Sequence, residues 1–119
     1  MLPTSTHFAE YGDGRFRVWA DLIDAGDDLL VFIGGGEQPH IGGFTYTASG
    51  SEPISFSILG HKDYVVSSVA SKRMTLATGR GSLVVVGIHV EKASPHDIET
   101  LIFNSNKCID IVLEKLAVK

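Results

Sequence analysis

Residues 29–49 read "LLVFIGGGEQPHIGGFTYTAS", and the fold turns on whether the two ends of this stretch are neighbours. Leu29–Ile33 is apolar in both alternating registers, the pattern of a strand covered on both faces. Phe44–Ser49 alternates instead, with Phe44, Tyr46 and Ala48 on one side and Thr45, Thr47 and Ser49 on the other. Between them, five of the chain's 13 glycines surround a Pro-His step and one carboxylate, Glu37. Read as a turn, the segment makes consecutive strands into antiparallel neighbours.

The flanking sequence extends that pattern. "FRVWADLI", Phe16–Ile23, places Phe16, Val18, Ala20 and Leu22 on one side and Trp19 and Ile23 with Arg17 and Asp21 on the other. "DAGDD" is a tight connection into Leu29. Beyond Ser49, "GSEP" turns the chain into "ISFSIL", with Ile54, Phe56 and Ile58 on one face. Four short strands joined by short turns predict an antiparallel meander.

At Gly60 the periodicity changes. From Asp63 to about Thr78, Val65 or Val66, Val69, Arg73 and Leu76 recur at helical spacing. Asp63 falls in the first turn, where a carboxylate complements the helix dipole, and Gly79 suits a left-handed cap. Ser82–Val90 is a fifth strand, apolar both ways and interrupted by Gly87. A last helix opens with Ser94 as cap, Pro95 first and Asp97 third; Ile98, Leu101, Ser105, Cys108 and Val112 form its stripe. The expectation is a single α+β domain over residues 1–119, with residues 1–13 loosely ordered. It has a five-stranded antiparallel sheet with two helices on one face, in the order β-β-β-β-α-β-α. Two helices leave the other sheet face bare, although the central strands are apolar on both sides. Pairing with a second copy to form a homodimer would cover it.

Composition bounds the function. At 119 residues with 44% apolar and 20% charged, the chain supports one ordinary core. A net charge of -4 gives no general ground for binding nucleic acid. The lone Cys108 excludes an internal disulfide and cannot make a structural zinc site by itself. No apolar run approaches the roughly 18 residues of a membrane span, and "MLPTSTHFAEYGDGR" lacks a basic start and an apolar signal core. No membrane partner and a cytoplasmic location are the expectations.

The candidate site centres on Gly34, Gly35, Gly36, Pro39, His40 and Gly42. Glycines at such spacing either build a bulged hairpin loop or let backbone N–H groups approach a ligand such as a phosphate, with His40 as hydrogen-bond partner. The loop has neither the terminal Lys-Ser/Thr of a Walker motif nor the spacing and following helix of a dinucleotide fingerprint. His61 and Lys62 precede the first helix and, in a meander, stand at the same end as His40; together they suit an anionic or polar aromatic ligand, or are solvated loop residues. A metal would need Glu37 or His89 as a further ligand, without any short ligand spacing. Cys108 lies on an apolar stripe, and Ser67, Ser68 and Ser71 show no catalytic arrangement. Lys72, Arg73 and Arg80 either meet a phosphate or an acidic partner or, as the favoured reading, form a solvated helix end. Binding chemistry is clearer than catalysis, so no catalytic residue and no metal are assigned; a small hydrolase or isomerase using His40 and His61 is the enzymatic alternative.

"DDLLVFIGGGEQPHIGG", followed by "ILGHKD", resembles the small accessory-subunit family associated with gallate and related hydroxyarylic acid decarboxylases. This is a prenylated-flavin chaperone-like family related in fold to proteasome assembly chaperones. The resemblance runs from about Phe16 to Leu116, and its specific part is Gly35-Gly36-Glu37-Gln38-Pro39-His40-Ile41-Gly42. His61, Lys62 and Asp63 match a recurrent patch before the first helix. The resemblance implies a non-catalytic helper that binds prenylated FMN or FMN and serves a UbiD-type decarboxylase client. The alternative is a cofactor-free assembly or protein-interaction subunit.

Overall fold

A computed structural model describes residues 7–58 and 63–117 of the 119. In chain order they form β1 (Ala9–Tyr11), β2 (Val18–Ala25), β3 (Asp28–Gly36), β4 (Gly43–Thr47), β5 (Ile54–Ser57), α1 (Tyr64–Thr78), β6 (Gly81–His89) and α2 (Pro95–Ala117). The sheet order is β1-β2-β3-β6-β4-β5.

This corrects the sequence reading in two respects. The sheet has six strands, the additional one being β1, which pairs with β2 inside the segment expected to be loosely ordered. It is also mixed: β6 runs parallel to β3, from Asp28↔Gly81 to Gly36↔His89, and separates β3 from β4. The physical reason lies in the two strands that are apolar on both faces. β3 and β6, apolar in both registers, have both edges paired when they lie side by side at the centre, and the helices cover one of their two faces. The glycine segment is therefore a step across one strand, not a hairpin.

Both helices pack on one face. Val18, Ala20, Leu29, Val31, Ile33, Val84 and Val86 meet Val66, Ala70, Met74, Leu101, Cys108, Ile109 and Val112 in a single buried cluster. α2 ends as its sequence predicts at the N-terminus: Asp97 N–H donates to Ser94 Oγ at 3.0 Å and Ser94 N–H donates to Asp97 Oδ2 at 3.0 Å. That bond to Ser94 N–H holds the Asp97 carboxyl below its ordinary range. Gly79, with φ 72°, closes α1 through its N–H to the Thr75 carbonyl at 2.8 Å.

α1 departs from its expected pattern after Val66, which is buried as expected. Val69 is 46% and Leu76 80% exposed, while Ser67, Ser71 and Thr75 are buried. They meet the hydroxylated side of β4. Thr45 Oγ1 lies 2.8 Å from Ser67 Oγ, and Thr47 Oγ1 lies 2.8 Å from Ser71 Oγ. Ser71 donates onward to the Ser82 carbonyl at 2.7 Å, and Thr75 to the Thr47 carbonyl at 2.8 Å. Small side chains let the helix approach closely, and every hydroxyl named has a partner, so their burial is not penalised.

Among the described residues no helix covers the opposite sheet face. Register alone sets two apolar rows across it: Ile23, Leu30, Leu83, Tyr46 and Ile54, and beside them Phe32, Val85, Phe44 and Phe56. On the outer strand β5, Ile54 is 68% and Phe56 56% exposed.

Candidate functional site

The segment from Gly36 to Gly42 is a strap over the carboxyl end of β6. Glu37 N–H donates to the His89 carbonyl at 2.7 Å, His40 N–H to Gly87 at 3.3 Å and Gly42 N–H to Val86 at 2.8 Å. Gly36 N–H reaches the Arg17 carbonyl on the other side at 2.9 Å. The amides of Gly36, Glu37, His40 and Gly42 are thus committed to backbone carbonyls. Gly87 is explained by the same strap: a Cβ there would occupy the position of the His40 carbonyl. Of the sequence candidates, Gly34, Gly35 and Gly36 end β3, Pro39 is exposed, and His40 and Gly42 face α1. His61 and Lys62 lie outside the described residues, so their pairing with His40 is not described.

Asp63 was expected to serve the helix dipole and does something else. It stands at the N-cap of α1, makes no side-chain cap bond, and is only 8% exposed. Its carboxylate turns toward β6, where Oδ1 accepts from Ile88 N–H at 3.4 Å and Oδ2 lies 3.8 Å from His40 Nε2. Gly42 leaves the room for that carboxylate, because a Cβ there would collide with Asp63 Oδ2. The His40 ring meets His89 edge-on, with centroids 6.3 Å apart. His89 Nε2 lies 3.3 Å from Glu91 Oε2. Glu37, considered above as a metal ligand, accepts from Glu91 N–H at 2.8 Å and lies 3.9 Å from Arg15. Among the described residues no group of His, Cys, Asp or Glu has the arrangement to hold a metal ion.

Behind Asp63 opens a cavity of about 300 Å³ between the first turns of α1 and α2 and the end of β6. Val65, Val66, Ile88, Val90, Ala93, Ile98, Leu101 and Ile102 wall it, and Asp63 and His89 are its polar members. Sequence reasoning missed it because a meander never brings the two helix starts to one strand end. The parallel β3–β6 pair does so, and the carboxyl ends of parallel strands are where open sheets leave ligand crevices. The available signal was the two strands apolar on both faces, each followed by a glycine or histidine segment.

Cys108 is fully buried and burial pushes its thiol up to about 12.

A mixed sheet backed on one face by two helices, with a strap and a cavity at one strand end, defines a small α+β domain. A solved chaperone complex for yeast 20S proteasome assembly has this fold, with a TM-score of 0.63 at 11% identity over 92% of this chain and 95% of that one. The chain belongs to the family of LpdD-like prenylated flavin chaperone domains, whose model matches residues 12–117. Protein LpdD of Lactiplantibacillus plantarum is 28% identical over 88 residues, 70% of this chain. The match spans 65% of that relative, just under two thirds of its length.

Proposed function

We propose that this chain is a non-catalytic carrier that binds prenylated FMN and serves a UbiD-type aromatic acid decarboxylase, working in the cytoplasm as a homodimer. The observation that carries the reading is the family match over residues 12–117. The site chemistry fits a flavin in part: aliphatic walls suit a fused ring system, and Asp63 and His89 can hydrogen-bond its polar edge. When bound, prenylated FMN supplies the decarboxylation chemistry of the client, and this chain would hold and shield it. Ser67 and Ser71 tied to threonines, and a buried Cys108 thiol, support a carrier over an enzyme.

Native mass measurement and calorimetric titration with prenylated FMN and FMN test the binding. A saturable complex that weakens in His40→Ala without a change in melting temperature is expected; no complex with either flavin refutes the reading. The dimer rests on the two apolar rows of the open sheet face. Sedimentation at micromolar concentration should give twice the chain mass, and Phe44→Arg should return the monomer.

The open face and the outward Val69 and Leu76 favour a second reading, a cofactor-free interaction subunit. Affinity capture would then return a stoichiometric protein partner from cells while neither flavin binds.

A further inference from the structure

The cavity at the end of β6 is too small for a whole flavin nucleotide. Its volume of about 300 Å³ is at the lower end of what drug-sized ligands need, roughly 300–1,000 Å³. Only one end of such a ligand enters, and the lining decides which. Val66, Ile88, Val90, Leu101 and Ile102 offer no hydrogen bond from their side chains. Ribityl hydroxyls would lose water there without replacement, and a phosphate would in addition face the Asp63 carboxylate. A hydrocarbon group loses nothing by the move.

We propose that this cavity receives the hydrocarbon, prenyl-bearing end of the flavin and leaves the ribityl phosphate outside. The proposal rests on the carrier reading above and adds the orientation and the basis of selectivity. Asp63 and His89, at the polar edge of the cavity, accept or donate to the ring atoms that reach them. His40, 3.8 Å from Asp63, is a positioning residue that sets the carboxylate from behind. Unmodified FMN lacks the added carbons and leaves part of the aliphatic wall uncovered. Burying about three methylene equivalents corresponds to about 50-fold tighter binding of prenylated FMN than of FMN.

The test uses the full chain, both flavins and two rim variants, Ala93→Phe and Ile98→Phe, chosen because neither residue is in the buried core. Each should weaken prenylated FMN by about tenfold or more while changing FMN by less than about threefold. Equal losses for both flavins, or no loss for either, overturn the assignment while leaving a flavin carrier intact. Failure of the unsubstituted protein to bind any flavin instead overturns the carrier reading itself. Should a variant not fold, methyl resonances of Ile88, Ile98 and Ile102 in the unsubstituted protein decide the matter. They should shift more with saturating prenylated FMN than with saturating FMN; identical responses to the two flavins refute the proposal.

Discussion

Replacing Gly87 by alanine asks whether the strap over β6 is what holds His40 and Asp63 in place. The new Cβ would coincide with the His40 carbonyl and lie 2.9 Å from the Ile41 nitrogen, both main-chain atoms that no rotamer change can move aside. The strap must lift, opening its bonds from His40 N–H to Gly87 at 3.3 Å and from Gly42 N–H to Val86 at 2.8 Å. Each lost bond costs about 1 kcal/mol, and overpacking of a tight site adds about 1–3 kcal/mol. The total is about 2–4 kcal/mol if part of the strain relaxes with the strap. At about 4 °C per kcal/mol for a domain of this size, the melting temperature should fall by about 8–16 °C. Urea melts and thermal melts measure it, and the same protein should bind flavin about tenfold more weakly because His40 moves off Asp63. Gly26→Ala is the control: its φ of 76° strains an alanine, but nothing lies within 4 Å of the added carbon. It should cost about 1 kcal/mol and leave binding alone. A Gly87→Ala protein no less stable than Gly26→Ala refutes the strap.

Further outcomes are expected at Ser71, Cys108 and Asp97. Ser71→Ala should cost about 1–3 kcal/mol in urea melts by stranding Thr47 Oγ1 and the Ser82 carbonyl; adding Thr47→Val should then cost little more, and additive losses would contradict the pairing. Cys108 should stay unreactive to thiol reagents in the native state and react only on unfolding. Its thiol is raised from 9.0 to about 12 in the fold, so the native state holds the proton more tightly; this contribution to stability is complete below pH 9 and is lost as pH rises through about 12. Urea midpoints should therefore fall less steeply over that range in Cys108→Ala than in the parent. The Asp97 carboxyl, held by Ser94 N–H, should titrate by NMR below 3.8, and a midpoint at or above that value would contradict the reciprocal cap.

What the sequence made legible was local or was a matter of two-sided burial. Ser94, Asp97 and Gly79 read correctly because caps depend on a few neighbouring residues. The central character of Leu29–Ile33 and Val84–Ile88 was visible because apolar residues in both registers require cover twice. Their pairing with each other was not, since alternation fixes which face a side chain takes and not which strand lies next to it. The stripe of α1 was read from apolar spacing, which picks out Val69 and Leu76, while the side the helix buries is partly hydroxylated. Ser67 and Ser71 are core residues only by virtue of Thr45 and Thr47, partners no helical periodicity can announce. Asp63 was placed on the helix by its position, while its carboxylate answers to Gly42 and the end of β6, which a meander puts elsewhere.

The late strand at the centre of the sheet has a consequence for synthesis. Chain growth delivers β1 to β3 as one piece and β4 with β5 as another, and nothing among them joins the two until Gly81–His89 emerges. Until then β3 and β4 each present an unpaired edge, the kind of surface that adheres to other nascent chains. A ribosome that pauses before residue 81 holds two half-sheets apart; one that releases a chain truncated there leaves them without the strand that makes them a single body.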